Sequence, residues 1–204
     1  MKTAIIDYDA GNLMNVKRAA ERAGLDTVVT RDREEIRNAS ALILPGVGAM
    51  GDAMEKLGRY DLISLIKEEV QKGKKLCGIC LGMQALYECS EENGMTKALG
   101  ILPGKIAAFP QGKLKVPHMG WNELVLRRPH EVMAGLPPHS YVYFVHSYYK
   151  VPGDTDDVIA YSDYGVPVPA VVGKDNVLGF QFHPEKSGDT GILIWKNIAS
   201  WLQK

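Results

Sequence analysis

Strand-length apolar runs alternate with helical stretches through about the first ninety residues of this chain. The apolar runs lie at residues 3–8, 27–30, 41–44 and 75–80, and they read as apolar on both faces. Helices are expected from Asn12, as a cap, to Ala23 before Gly24, and over residues 32–37, 50–57 and 62–71. This alternation predicts a doubly wound α/β sheet with parallel strands, whose ligand site lies at the carboxyl ends of the strands.

The texture changes after Gly100, where short apolar runs follow one another without long helices. They lie at residues 105–109, 123–126, 141–150, 158–161, 170–172 and 177–182. Turn residues at 152–154 (Pro-Gly-Asp) and 175–176 (Asp-Asn) predict hairpins and antiparallel pairing. A closing helix is expected at about residues 190–202. No linker or repeat is seen, so the antiparallel half is expected to extend the same sheet within one domain, residues 1–204.

Composition narrows the class of protein. The chain has 204 residues with 24 Lys and Arg and 24 Asp and Glu, so no net charge points to nucleic acid or to an anionic membrane. No apolar run approaches the ~20 residues of a membrane span, and Asp7 comes too early for a signal peptide. Three cysteines do not make a disulfide framework. We therefore expect a cytoplasmic protein.

The segment Gly78-Ile79-Cys80-Leu81-Gly82 has the form of a nucleophile elbow, with Cys in place of Ser. Glycines flank the cysteine because a neighbouring Cβ would crowd the sharp turn. The turn would place the sulfur at the start of a helix, where the dipole favours a thiolate. By itself the pattern fits an inert buried cysteine equally well.

Cys77 and Cys80 also form a C-x-x-C pair, which raises a redox or zinc alternative. A redox pair has both cysteines at the turn that opens a helix, whereas Cys77 falls inside the predicted strand. Zinc would need a second pair of ligands, and only Cys89 remains. We therefore expect no metal.

The second informative segment is His183-Pro184-Glu185, at the end of the last apolar strand. Residues i and i+2 of an extended backbone lie on one side, so the imidazole and the carboxylate can meet, and Pro184 is expected to bar a helix there. A carboxylate sets the tautomer of the imidazole and supports its charged form. Alone, this pattern also fits a surface turn or a stray metal ligand.

Together the two segments resemble the class I, or triad, glutamine amidotransferase family, and the resemblance covers essentially the whole chain. It implies a single-domain, flavodoxin-like open sandwich. It also implies glutamine hydrolysis through a thioester, without a cofactor, by Cys80, His183 and Glu185. Four further motifs resemble the branch that serves imidazole glycerol phosphate synthesis, although Asp9 stands where many relatives have glycine. They lie at residues 7–12, 45–49, 117–122 and 144–149.

The resemblance also assigns roles around the triad. It places the oxyanion donors at the Leu81 N–H and in the loop that contains Val47 and Gly48. The residues that it implies for holding glutamine are Gly46, Gln84, Ser147 and Tyr148. Each has a plainer alternative: the loop could be a strand-ending turn, Gln84 an exposed helix residue, and the last two cross-strand packing. His118, His130, His139 and His146 are expected to be structural or surface residues.

A partner follows from the same resemblance: a separate (β/α)8-barrel cyclase subunit in a heterodimer. It would use the ammonia to make imidazole glycerol phosphate and an aminoimidazole carboxamide ribotide, and the glutaminase would stay nearly silent until the partner binds its own substrate. One peptide flip in the loop at residues 45–48 could be the switch. The positions implied at the partner face are Asn12, Asn15, Arg18, Trp121 and Tyr143. Trp121 fits a core aromatic equally well.

Three alternatives remain open. A sister amidotransferase could serve anthranilate, aminodeoxychorismate or pyridoxal phosphate synthesis, although the motifs at residues 45–48 and 117–122 argue against it. A cysteine hydrolase of similar sheet but different class would generally lack His-Pro-Glu. A non-catalytic binding subunit could retain only the fold, although the intact Cys80, His183 and Glu185 argue against that.

Overall fold

The computed structural model describes residues 2–110, 112, 114–151 and 156–204. Strands and helices alternate in the first part of the chain, as the sequence predicts. The elements are β1 (Thr3–Ile6), α1 (Leu13–Arg22), β2 (Thr27–Thr30), α2 (Arg33–Asn38), β3 (Ala41–Gly46), α3 (Met50–Arg59), α4 (Leu62–Gln71), β4 (Lys75–Cys80) and α5 (Leu81–Gln84).

The second part is rich in strands and closes with the longest helix described. Its elements are β5 (Cys89–Ser90), β6 (Thr96–Lys97), β7 (Lys105–Ala108), β8 (His118–Glu123), β9 (Val125–Leu126), β10 (Tyr141–His146), β11 (Tyr148–Lys150), β12 (Val158–Asp163), β13 (Pro167–Lys174), β14 (Val177–Phe180) and α6 (Gly188–Gln203). Short 3₁₀ helices lie at Glu131–Met133 and Pro184–Lys186.

The main sheet has the strand order β2-β1-β3-β4-β14-β13-β12-β9. Strands β2 to β14 of that order run parallel, and β13, β12 and β9 add antiparallel strands at one edge. This confirms the predicted α/β class with a mostly parallel sheet. Because β4 and β14 are parallel neighbours, with Ile79 opposite Phe180, the chain segments that carry Cys80 and His183 leave the same edge of the sheet.

Helices cover both faces of this sheet. Within β3, Leu42 and Leu44 pack into the core under α3 and α4, whereas Ile43 packs into the opposite core under α1 and α6. All three side chains are fully buried. Burial on both faces is the reason why the parallel strands read as continuous apolar runs instead of alternating ones.

The prediction that the antiparallel half extends one sheet is only partly right. Two smaller sheets form beside the main one, with the orders β11-β7-β5-β6 and β10-β8. The predicted single strand over residues 141–150 breaks at Ser147, and its halves join different small sheets. The turn predicted at residues 152–154 lies outside the described residues, whereas Asp175 and Asn176 do join β13 to β14.

Other boundaries also differ from the sequence prediction. β3 continues to Gly46, so the loop after it begins only at Val47. α5 is a single turn, so the helix dipole expected at Cys80 is weak. Among the helices described here, none is both long and apolar enough to cross a membrane.

Candidate active site

Cys80 sits on a strained turn between β4 and α5. Its backbone has φ 54° and ψ −110°, a conformation that a residue with a side chain rarely adopts. A Cβ on Gly78 would lie 2.7 Å from the carbonyl oxygen of Gly82, and a Cβ on Gly82 would overlap the carbonyl oxygen of Leu44. The two glycines are therefore required by backbone crowding, which is the reason given by the sequence.

The structure brings His183 and Glu185 together, although not in the way predicted. His183 Nδ1–H donates to Glu185 Oε1 at 2.7 Å, and both side chains are almost fully buried. The backbone between them is not extended but begins a 3₁₀ turn, with Pro184 at its first position. The expectation that Pro184 bars a helix is wrong because proline is tolerated in a first turn, where its missing N–H has no partner to lose.

Asn12 joins this pair, which the sequence did not indicate. Its Nδ2–H donates to Glu185 Oε1 at 2.6 Å. Asn12 precedes α1 in a left-handed conformation, and its side chain makes no capping bond, so its predicted capping role is wrong. The same carboxylate oxygen therefore accepts from His183 and Asn12, while Oε2 is buried without a hydrogen-bond partner among the described residues.

Neighbouring charges control the protonation of His183. Burial lowers its pKa, but the Cys80 sulfur and the Glu185 carboxylate outweigh burial and raise the pKa to about 9. For Glu185, burial raises the pKa, and the bonds from His183 and Asn12 lower it below the ordinary value. His183 is therefore an imidazolium paired with a carboxylate at neutral pH. Its Nε2 is buried.

A cavity of about 310 Å³ joins most of the residues singled out by the sequence. Its lining includes Val47, Gly48, Cys80, Leu81, Gln84, Ser147, Tyr148 and His183. Gly46 lies instead at the buried end of β3, where a Cβ would overlap the Tyr8 hydroxyl. Glu92, His146 and Lys186 also line the cavity, and none of them was expected there from the sequence.

Gln84 is a buried part of the cavity wall and not an exposed helix residue. Its Nε2 donates to the carbonyl of Tyr148 at 2.8 Å and to Gln181 Oε1 at 3.0 Å. Gln181 Nε2 in turn lies 4.0 Å from Cys80 Sγ. Because Nε2 is engaged inside the protein, any direct contact between Gln84 and a bound molecule would use Oε1.

The loop after β3 is tethered at its start. The Tyr8 hydroxyl donates to the carbonyl of Pro45 at 2.8 Å, whereas Val47 and Gly48 are exposed and Gly48 has φ 96°. Conformational freedom therefore begins at Val47. The turn before α1 packs on this loop, since a Cβ on Gly11 would lie 2.9 Å from Val47 Cγ2.

Asp9 keeps the backbone form of the glycine found in many relatives. Its φ is 62°, in the left-handed region that Asp tolerates better than most residues. Its carboxylate accepts from Arg31 at 2.6 Å and from the Tyr60 hydroxyl, and the Arg31 guanidinium lies 4.2 Å from the centre of the Tyr60 ring. These contacts hold the turn without glycine.

The five residues expected at a partner face flank the segment from His183 to Gly188. Asn15 and Arg18 are exposed on α1 and line a second cavity of about 370 Å³ beside Glu185. On the other side, Trp121 is 57% exposed, which excludes the core alternative, and its ring packs edge-on against Tyr143. The Tyr143 carbonyl accepts from the His183 N–H at 3.0 Å.

Cys77 lies inside β4, as predicted, and is fully buried. Burial raises the pKa of its thiol, so Cys77 is an inert core residue and not half of a redox pair. In the ranges that the structure describes, no three His, Cys, Asp or Glu side chains cluster as metal ligands.

Comparison with known proteins gives the same assignment as the geometry. The family model of glutamine amidotransferase class-I matches residues 4–197. The imidazole glycerol phosphate synthase subunit HisH of Geobacillus kaustophilus (strain HTA426) is 52% identical over 200 residues, covering 96% of this chain and 94% of that protein. HisH of Aquifex aeolicus (strain VF5) is 44% identical over 205 residues, covering 100% and 99%.

Solved structures share the fold at lower identity. A glutamine amidotransferase crystal structure superposes with a TM-score of 0.75 at 22% identity, covering 97% of this chain and 98% of that one. PurLQS from Thermotoga maritima gives a TM-score of 0.76 at 20% identity, covering 98% of each chain. The sequence match, the fold and the relatives agree: the chain belongs to the class I glutamine amidotransferase family.

Proposed function

We propose that this chain is the glutaminase subunit of an imidazole glycerol phosphate synthase, which hydrolyses glutamine and passes ammonia to a cyclase subunit. The observation that carries the chemistry is that Cys80, on its strained elbow, and His183, braced by Glu185, line one cavity. The pathway assignment is supported by relatives of that name at 44% to 52% identity over nearly their full length.

The proposed reaction has two stages at one sulfur. Cys80 Sγ attacks the side-chain amide carbon of glutamine, and His183 gives its proton to the departing nitrogen, so the C–N bond breaks and ammonia leaves. His183 then takes a proton from water, which attacks the thioester and releases glutamate. A His183 pKa of about 9 suits the first stage because the proton is already on the ring at neutral pH. Glu185 and Asn12 hold the ring in place.

The negative oxygen of each tetrahedral intermediate needs backbone donors. The Leu81 N–H, directly after the nucleophile, and a peptide N–H at Val47 or Gly48 are the proposed pair. Removing one such donor from an enzyme typically lowers the rate by about 100- to 1000-fold. Because the loop is tethered only as far as Pro45, a peptide flip at Val47–Gly48 would supply or withdraw one donor. That flip is the proposed switch through which the partner activates the site.

The cavity also offers groups for the amino-acid end of glutamine. Glu92 Oε2 accepts from the Met50 N–H at 2.7 Å, and the carboxylate lines the cavity, so it is the proposed partner of the substrate ammonium group. Ser147, Tyr148 and the Gln84 oxygen are proposed to hold the rest, and Gly46 lets the loop approach.

A separate synthase subunit is the proposed consumer of ammonia, which is mostly protonated and unreactive in neutral water and so must be delivered directly. We assign residues 1–204 to a single amidotransferase domain, and the partner is proposed to be a (β/α)8-barrel cyclase. The proposed partner face contains Asn12, Asn15, Arg18, Trp121 and Tyr143. Exposed Met14 and Met119 add apolar area to it, at 53% and 61% exposure.

Reconstitution tests this proposal. The isolated chain should release glutamate slowly, and adding the cyclase subunit with its ribonucleotide ligand should accelerate release greatly. Cys80→Ala should abolish turnover while the complex still forms, and Cys89→Ala, away from the cavity, should turn over like the unchanged chain. Ordinary turnover by Cys80→Ala would exclude the nucleophile, and an absence of acceleration would point to a sister pathway.

A further inference from the structure

A line of side chains runs from the segment at the proposed partner face to the cavity wall. β8 and β10 pair with His118 directly opposite His146, so the two rings are cross-strand neighbours. Asn122 Nδ2 lies 3.2 Å from His118 Nε2, and His118 Nδ1 lies 3.0 Å from His146 Nε2. His146 Nδ1 then lies 2.8 Å from the carbonyl oxygen of Tyr148, a cavity residue.

The last bond determines where every proton in the line must be. A carbonyl oxygen only accepts, so the proton of neutral His146 is on Nδ1 and its Nε2 is an acceptor. His118 must then donate from Nδ1, which makes its own Nε2 an acceptor for the Asn122 amide. Asn122 Nδ2 also donates to the carbonyl of Asp163 at 2.8 Å, which fixes the orientation of the amide. One proton arrangement satisfies all these bonds.

The surroundings keep both rings neutral. His118 stacks between Phe144 and Tyr164, with ring centres 4.5 and 4.0 Å away. Burial lowers the pKa of His118 to about 4. Burial also lowers the pKa of His146 to about 3, and the bond to the Tyr148 carbonyl offsets this only in part. A proton added to either ring would set two N–H groups against each other, so the neutral arrangement is stable at physiological pH.

The Tyr148 carbonyl accepts two hydrogen bonds. His146 donates to it from one side, and Gln84 Nε2 donates to it from the other at 2.8 Å. Gln84 also bonds Gln181, the residue whose amide lies beside the Cys80 sulfur. The position of the Tyr148 backbone is therefore set by the same bonds that order the floor of the cavity.

We propose that His118 and His146 are positioning residues for glutamine: as a locked pair of neutral Nδ1–H tautomers they hold the Tyr148 carbonyl and the pocket wall that it belongs to. This inference rests on the proposed glutaminase function. The pair moves no proton during the reaction. It acts on how tightly substrate is held, and Trp121, the neighbour of Asn122 on β8, places the outer end of the line at the proposed partner face.

Substitutions of His146 by Asn and by Gln distinguish the bond to the Tyr148 carbonyl from the bond to His118. Asn carries its amide where the Nδ1 of histidine lies, whereas Gln carries its amide near Nε2. His146→Gln should therefore lose the donor to Tyr148 and raise KM for glutamine about tenfold, with little change in kcat. His146→Asn keeps that donor and should recover most of the affinity. His139→Gln, on a ring whose side chain is 80% exposed, is the control for histidine loss.

The assay is glutamate release by the complex with the cyclase and its ligand. Equal KM values for His146→Asn and His146→Gln would overturn the proposal, as would a loss confined to kcat. If the His146 variants do not fold, His118→Asn and His118→Gln provide the same contrast, because only Asn keeps the donor toward His146.

A second measurement needs no variant and no activity. Nitrogen-15 NMR of the histidine-labelled chain in the complex should show two neutral rings protonated on Nδ1 that do not titrate between pH 6 and 8. An Nε2–H tautomer of His118 or His146, or titration of either ring in that range, would overturn the proposal; the signals are assigned by their loss in His118→Asn and His146→Asn. A complex without any glutaminase activity would instead defeat the proposed function, and the NMR spectrum would still decide the proton arrangement.

Discussion

Two groups of buried histidine adjoin one cavity, and their pKa values are shifted in opposite directions. His183 lies beside a carboxylate and a sulfur, and its pKa is raised to about 9. His118 and His146 lie among aromatic rings and beside each other, and their pKa values are lowered to about 4 and 3. Burial penalises the charged ring in both places. A neighbouring anion therefore decides which histidine is available for proton transfer and which serves as a fixed hydrogen-bonding group.

The largest expected difference between the two groups is in the rate of the chemical step. His183→Asn should lower kcat of the complex by about 1000-fold, since it removes the proposed acid and base. His118→Asn, which keeps a donor toward His146, should leave kcat within about twofold, because His118 takes no part in the proton transfer of the chemical step. Steady-state glutamate release gives both values. Similar kcat losses in the two variants would contradict the assignment of proton transfer to His183 alone.

The next effect concerns the anion beside His183. Glu185→Gln should reduce kcat by about 100-fold and lower the pKa of His183 below about 9, because the neutral amide no longer favours the imidazolium. An NMR titration of the ring measures the shift. A pKa that stayed near 9 would mean that the Cys80 sulfur alone maintains the charge, and Cys80→Ala in the same titration would then remove it.

Asn12 should have a smaller effect, because it acts on the carboxylate and not on the ring. Asn12→Ala removes one bond to a charged oxygen and should lower kcat by about tenfold. Asn12→Asp should be worse, since a second carboxylate would face Glu185. Glutamate release by the complex compares the two variants. An Asp variant as active as the Ala variant would show that the carboxylate at residue 185 is not charged there.

The smallest effect is on stability against pH. Because the pKa of His183 is raised above 6.5, its contribution to the free energy of unfolding is complete below pH 6.5. That contribution is lost as the pH rises toward about 9. For His118 and His146 the pKa values are lowered, so their contribution is present above pH 6.5 and is lost as the pH falls toward 4. The free energy of unfolding, measured with urea across pH 4 to 9, should therefore be highest near neutral pH. His183→Asn should reduce the loss of stability at alkaline pH, and His146→Asn should reduce the loss at acid pH.

What the sequence predicted well is what local pattern determines. The parallel strands, the glycines around Cys80 and the pairing of His183 with Glu185 all follow from residues close together in the chain. Asn12 was misread as a cap because its contact with Glu185 spans 173 positions. β8 was missed because a segment with Gly120 at φ 129° has no apolar run and depends on pairing with β10 for its form.

The same limit explains the histidine pair. In the sequence, His146 looks like an ordinary polar residue of a strand and His118 lies in the missed β8, and their bond depends on the register between β8 and β10. That register is fixed by how the strands pack and not by the identity of either residue. The proton arrangement then depends on the carbonyl of Tyr148, a backbone group that no side-chain pattern reveals.

The close approach of Gly82 to the Leu44 carbonyl has a consequence for redesign. β3 leads from Leu44 to Gly46 and then into the loop that contains Val47 and Gly48. The contact between Gly82 and the Leu44 carbonyl therefore fixes the distance between the turn that holds Cys80 and this loop. Libraries that seek activity on bulkier amides have latitude across the cavity, around Ser147, but none at residue 82. Any side chain at residue 82 would push the Cys80 turn away from β3 and so separate the attacking sulfur from the proposed oxyanion donors.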